Sequence, residues 1–144
     1  MQNIIIEKTW QYVSEDFFQL KIECNNEHAV VNSIIYADCK KISELANSLE
    51  TFRGKENEEY SWEINYYEER NAKPLIVKIK SKDNFGHIKI EISMVLGDEA
   101  TNGNYQYYCT MLIETELGLL NRFGSKMKIF LSPQFGANIS LIGE

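Results

Sequence analysis

The sequence predicts an α+β domain in which a single antiparallel-dominated sheet of about six or seven strands carries two helices packed on it. Two observations lead to this fold class. Apolar and polar residues alternate over several short segments, which is the pattern of half-buried strands. At two places the apolar spacing changes to three and four residues, the pattern of an amphipathic helix. The predicted order is β-β-β-α-β-β-β-β-α, and we assign residues 1–144 to one domain.

Three strands are predicted before the first helix. Ile4 and Ile6 open the first, although Lys8 interrupts its alternation. The segment Phe18–Cys24 alternates cleanly and forms the second. In the third, Ala29–Tyr36, apolar residues fall on both faces, so we expect a strand that is covered on both sides.

The first helix is predicted from Asp38 to Phe52. Asp38 is a good N-cap residue, the apolar side chains that follow recur at helical spacing, and Gly54 stands where a helix should stop. The next strand begins near Tyr60 and alternates as far as Tyr66. These features predict a single helix that connects the early strands to the later ones.

The segment Leu75–Leu96 predicts a β-hairpin. Both of its arms alternate with a period of two, and the polar break Ser81–Gly86 supplies the Asp, Asn and Gly residues that turns favour. A further strand is predicted from Tyr105 to Ile113. Thr115 is then a candidate cap for a second helix reaching Phe130, and a short strand at Ile139–Ile142 is one interpretation of the tail.

The composition limits the classes of function. A net charge of −6 and a pI near 5.0 disfavour a protein that tracks nucleic-acid phosphates, because such proteins depend on clustered Lys and Arg. Three scattered cysteines indicate reduced thiols, not a disulfide framework. The first residues lack the pattern of a signal peptide, and no apolar run has the length of a membrane-spanning helix, so a cytoplasmic location is expected.

The sequence does not predict an enzyme, a cofactor or a metal site. The two histidines, His28 and His87, have no catalytic partner at a fixed local spacing. Glu114 and Glu116 are two residues apart at a predicted helix start, where negative charge is favourable in itself. We therefore expect a binding protein.

The segment Lys55–Arg70 is the candidate binding surface. It has six Glu residues against one Lys and one Arg, and so carries −4 of the net charge of −6. Acidic surfaces steer basic partners, and aromatic side chains supply much of the binding energy at interfaces. The predicted partner-binding residues are Glu56, Glu58, Glu59, Glu63, Tyr67, Glu68 and Glu69. The alternative interpretation is a strand that buries its aromatic side chains while the Glu residues face solvent.

The succession of elements resembles small bacterial immunity proteins of the WapI-like type. The resemblance rests on the helix Asp38–Phe52, the hairpin with Asn84-Phe85-Gly86 at its turn, the Tyr-rich strand and the run Glu114-Thr115-Glu116-Leu117-Gly118-Leu119-Leu120. Proteins of that type neutralise the toxic C-terminal domain of a polymorphic toxin by binding it. The resemblance therefore implies a non-enzymatic, cytoplasmic, protein-binding role, and the acidic composition favours a basic toxin domain as the partner.

Two alternatives remain open at this stage. One is a module that binds a small apolar or sugar ligand in an aromatic-lined cavity formed by Trp62, Tyr66, Tyr105 and Tyr107. A pocket of ~300 to 1,000 Å³ would support it. The other is a structural protein whose partner is a second copy of itself, as a homodimer.

Overall fold

A computed structural model describes residues 2–11, 18–64, 75–97, 106–132 and 136–142. Within these ranges the chain forms strands β1 (Asn3–Gln11), β2 (Phe18–Asn25), β3 (Val30–Ala37), β4 (Glu59–Ile64), β5 (Leu75–Ser81), β6 (His87–Gly97), β7 (Gln106–Glu116) and β8 (Asn138–Ile142). Helix α1 (Cys39–Thr51) lies between β3 and β4, and helix α2 (Leu117–Met127) follows β7. A 3-10 turn, Lys128–Leu131, continues α2.

The strands form two antiparallel sheets of four strands each, so the prediction of one sheet was wrong in this respect. Sheet A has the order β3-β2-β1-β8 and sheet B the order β4-β5-β6-β7. Helix α1 carries the chain from sheet A to sheet B, and α2 leads it back to β8, which pairs with β1. The α+β class and the antiparallel pairing are confirmed.

Both sheets turn their apolar faces toward a common core. Ile6 of sheet A, Ile92 of sheet B and Leu120 of α2 are all buried and line the same interior void. This void has a volume of only about 40 Å³. The core is therefore closely filled, as expected for a protein interior.

The predicted hairpin and first helix are confirmed. Strands β5 and β6 pair in register from Leu75 opposite Met94 to Ser81 opposite Ile88. Asp38 caps α1 by accepting a hydrogen bond of 2.8 Å from the backbone N–H of Lys41. The alternation of the hairpin arms and the capping residue of α1 are signals within a few residues, and the structure contains both elements.

Strand β3 was expected to be covered on both sides, and this is wrong. It is an edge strand of sheet A, and Val30 and Ile34 on its outer face are 63% and 40% exposed. Ser33 and Ile35 on the other face are buried. Apolar residues on both faces therefore do not indicate burial here.

The start of α2 differs from the prediction. Thr115 belongs to β7 and its side chain is buried, so it does not cap the helix. Glu116 occupies the N-cap position without a side-chain hydrogen bond to the helix. The backbone N–H of Leu117 instead donates to the carbonyl oxygen of Gly86, which ties the helix to the hairpin loop. The strand at the tail is confirmed as β8.

Helices α1 and α2 cross at close range. Gly124 permits this approach, because a Cβ at its position would lie 2.7 Å from the carbonyl oxygen of Ala46 and 2.6 Å from the backbone nitrogen of Glu50. Asn121, one turn earlier, donates from its side-chain amide to the carbonyl oxygens of Leu49 (2.8 Å) and Phe52 (3.0 Å). It thereby satisfies carbonyl groups that the end of α1 leaves without helical partners.

Lys8 of β1 is fully buried. Its ammonium group donates to the carbonyl oxygens of Phe130 (2.9 Å) and Ser132 (2.7 Å) and lies 4.6 Å from the centre of the Phe18 ring. These contacts fasten the segment after α2 to sheet A. The residue that interrupts the predicted alternation is therefore a structural cation.

None of the helices in the described ranges combines the length and the apolar character that crossing a membrane requires.

Candidate functional site

The outer face of sheet B is an exposed four-stranded surface. The inward side chains of its strands belong to the core, so the alternate positions point away from it. We define the outer face by Glu59, Ser61 and Glu63 of β4, Ile76, Lys78 and Lys80 of β5, Lys89, Glu91, Ser93 and Val95 of β6, and Tyr108, Thr110, Leu112 and Glu114 of β7. Of these side chains, Val95 is buried. With strands about 4.8 Å apart, the face spans about 14 Å from β4 to β7.

Two large apolar side chains stand out on β7. Tyr108 is 78% exposed and Leu112 is 45% exposed. Between them, the hydroxyl of Thr110 forms a hydrogen bond of 3.0 Å with the hydroxyl of Ser93 on β6. The two residues are four positions apart along the strand, a distance of about 14 Å. An aromatic and an aliphatic side chain are thus presented to solvent on a firmly paired strand.

Charged side chains surround these apolar residues. Glu59 forms an ion pair of 3.3 Å with Lys80, and Glu114 forms one of 3.1 Å with Lys82. On the outer face as a whole, four Glu residues are accompanied by three Lys residues. The face is therefore of mixed sign. Exposed ion pairs of this kind are worth less than about 1 kcal/mol, so a partner can rearrange them at little cost.

The structure places the predicted acidic residues in different surroundings. Glu59 and Glu63 lie on the outer face of β4, and Glu56 is exposed in the turn before it. Glu58 instead accepts hydrogen bonds from the backbone N–H groups of Arg53 and Lys55, so its carboxylate stabilises the loop after α1. The remaining three, Tyr67, Glu68 and Glu69, lie outside the described residues.

The aromatic-cavity alternative receives no support from Trp62. This side chain is 4% exposed and its indole N–H donates to the carbonyl oxygen of Lys41 at 3.1 Å, so it is a core residue. The void beside it, about 40 Å³, is far smaller than a drug-sized site of ~300 Å³. Tyr66 and Tyr105 lie outside the described residues, as does the side chain of Tyr107.

Sequence reasoning missed Tyr108 and Leu112. Alternation in the strand predicted from Tyr105 to Ile113 groups its odd-numbered residues on one face. The structure buries two of these residues, Met111 and Ile113. The even-numbered residues must then face outward. The sequence therefore carried a partial signal, since Tyr108 and Leu112 stand on the face opposite the core series, but their exposure depends on what packs against that face.

His87, the first residue of β6, forms a pair with Asp83 of the hairpin loop. The imidazole Nδ1 lies within hydrogen-bonding distance of the carboxylate of Asp83, which also accepts from the backbone N–H of Phe85 at 2.7 Å. The hydrogen bond from the Phe85 N–H is the main cause that lowers the pKa of the Asp83 carboxyl, and the hydrogen bond with His87 lowers it further. The hydroxyl of Ser81 donates to the carbonyl oxygens of Gly54 and Asp83. We assign these groups to holding the loop in shape.

The acidic, histidine and cysteine side chains of the described ranges do not gather in any group of three or more that could hold a metal ion. Comparison of the chain with models of protein families, with curated proteins and with solved structures finds no match.

Proposed function

We propose that this is a non-enzymatic binding protein that neutralises a cognate bacterial toxin domain in the cytoplasm, as immunity proteins do, and that it binds through the outer face of sheet B. The observation that carries the proposal is the exposure of Tyr108 and Leu112 on a paired strand among charged residues. Protein interfaces combine a few large apolar anchors with a polar rim. This face has that composition.

The rigidity of the face favours direct binding. Its anchors lie on β7, whose whole length pairs with β6 from Gln106 opposite Gly97 to Glu116 opposite His87. A preorganised surface loses little conformational entropy when it binds. We therefore place the energetic centre of the interface at β7 and the charged rim at β4 and β5.

The charge of the protein favours a basic partner. The net charge is −6, and Glu59 and Glu63 extend the acidic turn at Glu56 onto the outer face. Long-range attraction raises association rates more than it raises final affinity. A toxin domain with a basic active cleft, as nucleases have, fits this requirement. Occlusion of that cleft would neutralise it.

The test uses the purified protein and the C-terminal toxin domain encoded by the adjacent upstream gene. We expect a complex of one copy of each, in which the toxin activity is lost at equimolar amounts. Tyr108→Ala should weaken binding by about 30-fold, the typical loss for a central aromatic anchor. Leu112→Ala should weaken it by a smaller factor.

Ile34→Ala is the matched control for Leu112→Ala. Ile34 is 40% exposed against 45% for Leu112, but it lies on sheet A. Its replacement should leave binding unchanged. If the toxin binds and all three variants bind equally well, the outer face of sheet B is not the interface. If the wild-type protein leaves the toxin active even at low salt, the immunity function itself is wrong.

The rim is tested by association kinetics. Glu59→Lys and Glu63→Lys together should slow association with a basic partner at low salt and change the dissociation rate little. Glu58 is left unchanged because its carboxylate holds the loop. Equal association rates for the double variant and the wild type would remove the charged rim from the proposal.

A further inference from the structure

A surface groove lies between helix α2, with the 3-10 turn that follows it, and strand β8. It has a volume of about 500 Å³ and is open to solvent. Its helical wall consists of Ser125 and Lys126 with Ile129 of the following 3-10 turn, and its strand wall of Asn138, Ile139 and Ser140. We refer to it as the β8 groove.

The strand wall of the β8 groove is a free sheet edge. Among the strands that the structure describes, β8 pairs with β1 and with no other. The backbone N–H of Lys8 donates toward β8, to the carbonyl oxygen of Ala137. In an antiparallel ladder alternate residues bond to the same side, so Ile139 bonds to β1, whereas the N–H and C=O groups of Asn138 and Ser140 point away from it.

These edge groups are available to a partner. Within the described ranges, neither Asn138 nor Ser140 donates or accepts a backbone hydrogen bond outside the ladder with β1. An unpaired edge is a template for the addition of another strand. Here α2 and the turn after it form the second wall of the β8 groove, beside this strand edge. Ile129 on that wall is 42% exposed and can contact an apolar side chain of a partner.

The chain segment that forms both walls of the β8 groove is basic, while Glu7 of β1 lies opposite Asn138 in the ladder. The segment from Leu117 to Ile142 contains Arg122, Lys126 and Lys128 and no acidic residue. It carries a charge of +3, which leaves −9 for the remainder of the chain. Lys128 is paired with Glu50 at 2.8 Å, but Lys126 makes no ion pair within the described ranges. The cation on the groove wall therefore favours an acidic occupant.

We propose that the β8 groove binds an extended acidic segment of a partner protein, which adds to sheet A as a fifth strand. Its main chain would bond to the outward groups of Asn138 and Ser140, an apolar side chain would contact Ile129, and a carboxylate would lie near Lys126. Main-chain bonds supply affinity in this mode and the alternate side chains supply specificity. This site is separate from the outer face of sheet B and does not depend on the toxin proposal.

The test is a titration of the whole protein with a fluorescent peptide of alternating Glu and Val, blocked at both ends, followed by anisotropy. A peptide of alternating Lys and Val serves as the control ligand. We expect saturable binding of the Glu-Val peptide, weakened by salt, and backbone amide NMR shifts centred on Asn138 and Ser140. The Lys-Val peptide should bind about tenfold more weakly or not at all.

Two variants locate the site. Lys126→Glu should weaken binding by about tenfold, whereas Lys78→Glu, an equal charge change on sheet B, should have little effect. Ser140→Pro removes an outward N–H, a change that edge strands tolerate, and should abolish binding while the circular dichroism spectrum is retained.

Three results would overturn the proposal. The first is absence of binding by the Glu-Val peptide at low salt. The second is an equal effect of Lys126→Glu and Lys78→Glu. The third is concentration-dependent dimerisation in light scattering that Ser140→Pro abolishes, since a second copy would then be the occupant of the groove.

Discussion

Gly124 of α2 lies so close to Ala46 of α1 that a methyl group on Gly124 would reach within 2.7 Å of the Ala46 carbonyl oxygen. The contact is with backbone, which cannot swing aside as a flexible side chain can. Gly124→Ala should therefore destabilise the protein by about 1–3 kcal/mol through overpacking, despite the better helix propensity of Ala. Urea denaturation of the variant and the wild type measures the difference in the free energy of unfolding.

Gly118 provides the matched comparison for Gly124. It lies on the same helix, but a Cβ there would meet only the end of the Arg122 side chain at 4.0 Å. Gly118→Ala should therefore leave stability unchanged or raise it by up to about 1 kcal/mol. Equal effects of the two substitutions would show that the helix crossing is looser than described.

Asn121→Ala should destabilise the protein by about 1–3 kcal/mol. The substitution removes both hydrogen bonds to the carbonyl oxygens of Leu49 and Phe52 and leaves these groups without their partner. Asn47→Ala, at an exposed position of α1, should change stability by less than about 0.5 kcal/mol. Hydrogen exchange should show faster opening of the last turn of α1 in Asn121→Ala only.

Lys8→Met should destabilise the protein by at least about 2 kcal/mol, although Met fills much of the same volume. The carbonyl oxygens of Phe130 and Ser132 would lose a charged donor while the site remains buried. Lys21→Met, at an exposed position on the neighbouring strand β2, is the control and should be nearly neutral. Thermal unfolding of the two variants distinguishes a structural cation from a surface lysine.

Cys24 should be the least reactive of the three thiols. Its burial, together with nearby Cys109 and Glu23, raises the pKa of its thiol from 9.0 to about 12. Because the thiolate is the reactive form, alkylation at pH 8 should modify Cys24 at least about tenfold more slowly than Cys39 and Cys109, which are partly exposed. The difference should disappear in urea, and mass spectrometry reads out each site.

The raised pKa of Cys24 makes the free energy of unfolding depend on pH in the alkaline range. Between pH 9 and about pH 12 the thiol ionises in the unfolded chain but stays protonated in the folded one, so rising pH favours unfolding. Below pH 9 the contribution of this group is constant. Above it, the wild type should lose stability relative to Cys24→Ala, on the order of 1 kcal/mol per pH unit. A constant difference across this range would contradict the assignment.

The elements that the sequence predicted correctly have local signals. The alternation of β5 and β6 and the capping residue Asp38 act over a few residues, and the structure contains both. The division into two sheets has no such signal. It depends on the pairing of β1 with β8, in which Ile6 lies opposite Ile139. These strands are far apart in the sequence, and neither has a local residue pattern that indicates its partner.

The candidate site was predicted only in part, for a related reason. Alternation placed Glu63 opposite the aromatic series of its strand, and Glu63 is exposed on β4, whereas Glu59, which was assigned to a flanking loop, is the first residue of the strand. Whether an apolar residue on an outward face is covered depends on what lies across from it, and the sequence of one strand does not contain that information. Tyr108 on the edge strand β7 is exposed, whereas Val95, directly opposite it on β6, is buried.

The pairing of β1 with β8 has a consequence for biosynthesis. Strands β4 to β7 follow one another along the chain as they do in space, so sheet B needs only near neighbours and can form on the nascent chain. Sheet A cannot be completed until Asn138–Ile142 has left the ribosome, because Ile4 and Ile6 of β1 pair with Leu141 and Ile139 of that strand. Until then one side of β1 has no strand partner, and during that interval the newly made chain is most exposed to association with other chains.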